Sequence, residues 1–140
     1  MDGRVLDSYA VLAWMAAEPA APTVRAWLQR AQRGEVRLYL SVVNAGEVYY
    51  RLARAEGGAR ADAFRSAVRR KAFPWRVESA TSARVWEAAR IKGTFAMAYA
   101  DAFAVALAAE LGLPVLTGDA EIVAVDGHAC LVDALPGKSA

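Results

Sequence analysis

Four carboxylates stand where apolar segments of this 140-residue chain meet polar ones. Asp7 closes "GRVLD", Glu47 lies within "LSVVNAGEVYYRL", and Asp101 and Asp119 lie near the two ends of "YADAFAVALAAELGLPVLTGDAEI". Each has an ordinary use. Asp101 suits the positive end of a helix, Glu47 a solvated helix face, Asp119 a turn that caps the next helix, and Asp7 the cap of a helix starting near Ser8. Brought together, the four would repel one another strongly unless a cation neutralised them. Oxygen ligands without His or Cys select a hard ion such as Mg²⁺ or Mn²⁺. The chemistry such a site supports is metal-assisted, and activation of water by a bound ion needs no His or Ser nucleophile. His128, beside Gly127, is the only histidine and reads as a surface loop residue.

Convergence depends on the elements that carry these residues. "GRVLD" reads as a buried strand and "SYAVLAWMAAE" as a helix capped by Ser8. Pro19 and Pro22 then break the chain. "TVRAWLQRAQRGE" is helical up to Gly34, and "VRLYLS" is a second strand. "VVNAGEVYYRLARAEGG" is a helix with Val43, Glu47, Tyr50 and Arg51 on one face, stopped by Gly57 and Gly58. "ARADAFRSAVRRKA" makes another helix, Pro74 precedes a strand at "WRVES", and "SARVWEAARIKG" is helical to Gly93. A helix from Tyr99 to Leu111, a turn at Gly112-Leu113-Pro114, a strand "PVLT" and a last strand "HACLVD" complete the pattern.

Short apolar strands alternating with helices specify an α/β fold, a three-layer α/β/α sandwich around a short parallel sheet. In such sheets ligands bind outside the carboxyl ends of the strands, where Asp7 and Asp119 both fall. Glu47 and Asp101 each lie within the first turns of a helix near that edge. Ser8, Asn44 and Thr117 are polar neighbours suited to holding those carboxylates. Residues 1–135 read as one domain and 136–140 as a flexible tail.

Composition narrows the function. Hydrophobic residues make up 56% of the chain and 33 residues are alanine, a bias toward closely packed helices. Asp101 and Glu110 divide the longest apolar run, so no membrane span is expected. The acidic N-terminus is unlike a secretory leader, and the chain is read as cytoplasmic. Cys130 is the one cysteine, read as a small buried side chain in a late strand; no disulfide or zinc spacing exists. The net charge of +2 conceals an uneven distribution. Residues 51–92 carry eleven basic and four acidic side chains, whereas residues 93–140 carry one and six. Arg65, Arg69, Arg70, Lys71 and Arg76 form the densest basic group and are candidates for gripping a polyanion, which would be RNA if the resemblance described below holds. Trp75 would then be a candidate for stacking on a base, while Trp14, Trp27 and Trp86 fit helical core or interface positions.

The placement of Asp7 in "VLDSYAVLAWM", Glu47 in "LSVVNAGEVYYRL", and Asp101 and Asp119 in "AYADAFAVALAAELGLPVLTGDAEI" resembles the four acidic positions of PIN-domain proteins, in particular the small VapC-type toxins of toxin–antitoxin pairs. The likeness runs from residue 3 to about residue 133. It implies an endoribonuclease fold, Mg²⁺ or Mn²⁺ held by the acidic cluster, a cognate antitoxin that occludes the site, and a homodimer. Carried over, Asp7, Asp101 and Asp119 would be direct or water-mediated metal ligands, and Glu47 would bind metal or orient the attacking water. Glu121 is a weaker additional candidate. One departure is the absence of a small hydroxyl residue shortly before the third acid. Ala98 and Ala100 stand there, so a supporting hydrogen bond is expected to be missing.

Two other readings compete. Aspartyl-phosphate phosphatases also begin with a strand ending in Asp, but they need a second acid two residues on, where this chain has Tyr9. A catalytically silent RNA- or protein-binding module would have no reason to keep four mutually repelling acids. No glycine-rich phosphate loop is present in the sequence.

Overall fold

The computed structural model describes residues 1–137. Strands β1 (Gly3–Leu6), β2 (Arg37–Ser41), β3 (Arg76–Glu78), β4 (Val115–Thr117) and β5 (Val132–Ala134) pair in parallel in the order β3-β2-β1-β4-β5. Helices α1 (Ser8–Met15), α2 (Ala21–Gln32), α3 (Val42–Glu56), α4 (Gly58–Arg69), α5 (Ser82–Thr94), α6 (Tyr99–Leu111) and α7 (Ala120–Val123) alternate with them singly or in pairs.

The centres of β1 and β4, Val5, Leu6, Val115 and Leu116, are apolar because both faces of these inner strands are covered. Successive side chains point to opposite faces. Leu6, Leu40 and Leu116 pack with residues of α1 to α4, while Val5 and Val115 pack with α5 and α6. The result is the expected three-layer α/β/α sandwich. α6 is buried from Asp101 to Ala108 and ends at Gly112, whose φ of 66° supplies the left-handed turn a side chain would resist. Arg84 on α5 reaches Glu110 of α6 at 2.9 Å and Glu78 of β3 at 3.2 Å, tying the second helical layer to the sheet.

Topology creates the crevice. From β1 the chain passes through α1 and α2 to β2 on one side, and from β3 through α5 and α6 to β4 on the other. The strand order therefore reverses between β1 and β4, and their carboxyl ends diverge into helices that leave in different directions.

Several local expectations are corrected. The cap of α1 is Asp7, whose Oδ1 accepts from the Ala10 amide at 2.9 Å, so Ser8 is the first helical residue and its hydroxyl is used elsewhere. Pro22 does not break the chain; it sits in the first turn of α2, where an amide proton would have no helical partner. Gly57, at φ 96°, separates α3 from α4, but Gly58 already opens α4. The segment "HACLVD" is not one strand. Gly127 turns with φ 78°, Cys130 makes only an isolated bridge to Asp126, and β5 begins at Val132. Cys130 is accordingly half-buried and outside the sheet, its thiol pushed up to about 11 by burial. At the expected tail, the Pro136 carbonyl accepts from the Tyr9 hydroxyl at 3.3 Å, and residues 138–140 lie outside the described residues. Among the described residues no single helix is long and apolar enough to cross a membrane.

Candidate metal centre

Asp7 follows β1 directly, and its carboxylate is completely buried. Oδ1 caps α1, and Oδ2 accepts from the Thr117 hydroxyl at 2.5 Å. Burial pushes this carboxyl up to about 7 against the pull of those two donors, and repulsion from Asp101 and Asp119 adds to the shift. Thr117 ends β4, so the bond joins the ends of two adjacent strands. The same hydroxyl accepts from the Asp119 amide at 2.9 Å. Asp119 in turn caps α7, its Oδ1 accepting from the amides of Glu121 and Ile122 at 2.9 and 3.1 Å. Capping fixes Asp119 and sets Glu121 two residues further on, within the first turn.

Asp101 enters from the other layer as the third residue of α6 and is 9% exposed. Burial pushes its carboxyl up to about 7, with Asp119, Glu47 and Glu121 adding repulsion and Arg51 opposing them. The helix N-cap, Ala98, supplies no side-chain bond, in keeping with the hydroxyl missing from the sequence. Asn44 of α3 compensates from across the interface: its Nδ2 donates to the Ala100 carbonyl at 3.1 Å, holding the backbone beside Asp101. Glu47, one turn further along α3, accepts from the Ser8 hydroxyl at 2.7 Å through Oε1, and its Oε2 forms an ion pair with Arg51 Nη2 at 3.0 Å.

A cleft of about 220 Å³ opens at the β1/β4 reversal, lined in part by Ser8, Tyr9, Glu47, Arg51, Asp101, Asp119 and Glu121. The structure divides the acids into two kinds. Asp101, Asp119 and Glu121 each present an oxygen, all within 4.8 Å of one another. Asp7 and Glu47 lie alongside with both oxygens already bonded to protein donors. Glu121 is thus placed more centrally than its sequence weight suggested; the signal was its position two residues after a capping Asp.

The donor set fits a hard divalent cation. It consists of carboxylates with no His or Cys, and Asp7 and Asp101 carry raised affinities for a proton that a nearby cation would replace. The buried Asn44 Oδ1 has no hydrogen-bond partner in the protein. Asp101, Asp119 and Glu121 are the residues able to hold such an ion, with Asp7 beside them.

Other expected residues fall elsewhere. None of Arg65, Arg69, Arg70, Lys71 and Arg76 lines the cleft. Arg65 and Arg69 border an apolar groove between α3 and α4, and Arg69, Lys71 and Arg76 border its neighbour toward β3. Trp75 is not placed to stack on a base: it is 8% exposed and stacks on Phe73, ring centroids 4.4 Å apart, with Trp14 packed edge-on. Trp27 lies under the guanidinium groups of Arg4 and Arg30, and Trp86 is 76% exposed on α5. His128 is exposed, as expected. Sequence reasoning missed Arg51 as a cleft residue; its i,i+4 spacing from Glu47 was the available sign.

A parallel sheet with a carboxylate cleft at its order reversal defines a class of α/β proteins, and the family model narrows it. The PIN domain matches residues 4–128, and the chain belongs to the PIN-domain family. Comparison with curated protein sequences gives no match. Among solved structures, the Mycobacterium tuberculosis VapC20 toxin, described as cleaving the sarcin–ricin loop, superposes with a TM-score of 0.70 at 20% identity, covering 96% of this chain and 100% of that one. DNA-bound VapBC from Salmonella typhimurium gives 0.68 at 15% identity, covering 96% and 98%. VapBC-5 of the VapBC toxin–antitoxin family, also from M. tuberculosis, gives 0.60 at 19% identity, covering 96% and 99%. At these identities the likeness is one of fold.

Proposed function

We propose that the protein is a Mg²⁺- or Mn²⁺-dependent endoribonuclease and the toxin of a toxin–antitoxin pair. The observation that carries this reading is the convergence of Asp101, Asp119 and Glu121 within 4.8 Å at the β1/β4 reversal of a PIN domain. The naming of VapC20 as an RNA-cleaving toxin, and of VapBC assemblies among similar folds, supports the toxin role and an antitoxin partner. A homodimer and a cytoplasmic site of action belong to the same proposal.

Asp101, Asp119 and Glu121 would hold the ion, with Asp7 behind them. A bound divalent ion would polarise the scissile phosphate and lower the pKa of an attacking water. The chain's own part is pre-organisation. Thr117 fixes Asp7 and the Asp119 backbone together, Asn44 fixes the start of α6, and Ser8 fixes Glu47. Arg65, Arg69, Arg70, Lys71 and Arg76 would contact RNA backbone beyond the cleft, giving affinity without base choice.

The test is RNA cleavage by purified protein with Mg²⁺ or Mn²⁺, beside Asp7→Asn and Asp101→Asn. Wild type should cut and both variants should lose activity. Equal cleavage by all three would trace the activity to another nuclease and remove the proposal.

A further inference from the structure

Arg51 is the single cation lining the carboxylate cleft among the described residues. Its bond to Glu47 differs from an ordinary exposed i,i+4 pair, because the two partners are unequally buried. The Glu47 side chain is 10% exposed while Arg51 is 55% exposed. Glu47 is also anchored from a different element, its other oxygen taken by Ser8 of α1 at 2.7 Å. A surface pair contributes little and leaves both side chains free to move. Here the carboxylate is immobilised first, and the guanidinium is left with one edge held and the remainder in solvent.

The cleft also continues beyond the acids. It shares Leu12, Glu18 and Arg51 with a second groove of about 410 Å³ between α1 and α3, floored by Leu12, Met15 and Leu52 and flanked by Arg54. Arg54 lies over the ring of Tyr50, 5.1 Å from its centroid, and Tyr50 is 45% exposed. Two guanidinium groups, one turn apart on α3, thus follow one side of a channel that opens directly from the carboxylates. Glu18, after α1, and Glu56, at the end of α3, also border the groove. A guanidinium with free N–H donors matches phosphate geometry, and such spacing of cations beside an apolar floor suits a single-stranded backbone.

We propose that Arg51 is a phosphate-binding residue of the cleft, contacting a backbone phosphate of single-stranded RNA as it passes from the carboxylates into the α1–α3 groove. Glu47 and Ser8 are positioning residues that act through Arg51. The proposal rests on the ribonuclease reading and specifies how the substrate lies.

The test uses the full chain and a fluorescein-labelled single-stranded oligoribonucleotide, with binding followed by anisotropy across a salt series in an Asp101→Asn background. Arg51→Ala should weaken binding about tenfold. It should also reduce the slope of log Kd against log salt by about 0.7, the loss of one phosphate contact to a single strand. Arg51→Lys should keep the slope while recovering only part of the affinity. With Asp101 intact, Arg51→Ala should raise KM for RNA, with kcat and Mn²⁺ affinity within about twofold of wild type.

Arg51 is half exposed, so its variants should melt like wild type. Unchanged Kd and salt slope in Arg51→Ala, with wild-type cleavage intact, would overturn the proposal and leave the ribonuclease reading standing. Wild-type Kd and salt slope in Glu47→Gln would overturn the positioning role. Absence of RNA cleavage by wild type would remove the ribonuclease reading itself, and Arg51 with it.

Discussion

The hydroxyl of Thr117 donates to Asp7 Oδ2 at 2.5 Å, and neither residue has any exposed surface. Through this bond and the one from the Asp119 amide, a single oxygen connects the end of β1, the end of β4 and the start of α7. Thr117→Val keeps the shape and removes the connection, leaving a buried carboxylate one donor short. We expect a loss of about 1–3 kcal/mol in urea unfolding, with weakened Mn²⁺ uptake. Thr117→Ser should recover most of both. Wild-type stability in Thr117→Val would show that the bond contributes nothing beyond packing.

Asp7 and Asp101 make the metal-free protein sensitive to pH. Both carboxyls are raised from the ordinary 3.8 to about 7, chiefly by burial. Between those values the folded state holds protons that the unfolded chain has released. Stability is therefore full below about pH 4, falls as pH rises through the interval, and levels off once the folded-state carboxyls have ionised. Each group contributes a slope of up to about 1.4 kcal/mol per pH unit. Urea unfolding from pH 4.5 to 8 in a chelator should show this decline, Mg²⁺ should flatten it, and Asp7→Asn should remove part of it. Stability that rises over this range without metal would contradict the assignment.

Glu121 is expected to matter as much as Asp119. Its carboxylate shares the 4.8 Å group with Asp101 and Asp119, although it is the most exposed of the three. Glu121→Gln should reduce Mn²⁺ affinity and cleavage about 10–100-fold, measured by calorimetric titration and RNA turnover. Folding should be unaffected, because the amide of residue 121, which bonds the Asp119 cap, is kept. Wild-type uptake in this variant would restrict the ligand set to Asp101 and Asp119.

The sequence exposed some of this and concealed the rest for definable reasons. Helix α6 was legible to its ends, because a long Ala-rich run is closed by Gly112-Leu113-Pro114. The meeting of Asp7 and Asp119 was legible because strand ends in a parallel sheet share an edge. The division between acids with free oxygens and acids with engaged ones was not, since it depends on which hydroxyl of another element reaches which oxygen. Ser8 read as a cap, but Asp7 took the cap and left the Ser8 hydroxyl for Glu47. Trp75 looked exposed between Pro74 and Arg76, yet the ring of Phe73 two residues earlier folds over it. Charge counts located the basic segment without revealing that Arg65, Arg69, Arg70, Lys71 and Arg76 do not line the cleft while Arg51 does. β5 is a three-residue edge strand whose Asp133 pairs with Arg4 at 2.9 Å, a contact no local pattern announces.

Gly118 offers the last prediction, and it concerns space. A Cβ at this position would lie 2.5 Å from Tyr9 Cε1 and 2.7 Å from the Tyr9 hydroxyl oxygen. The ring lines the cleft, and its hydroxyl holds the Pro136 carbonyl at 3.3 Å, so it cannot yield without changing the cleft wall. Gly118→Ala should cost about 1–3 kcal/mol in stability and lower RNA cleavage, since the neighbouring Asp119 would shift with the backbone. Because the difficulty is contact with the ring, Gly118→Ala combined with Tyr9→Ala should recover cleavage relative to Gly118→Ala alone. Failure of that rescue, with Tyr9→Ala itself active, would place the constraint in the backbone between Thr117 and Asp119 in place of the Tyr9 contact.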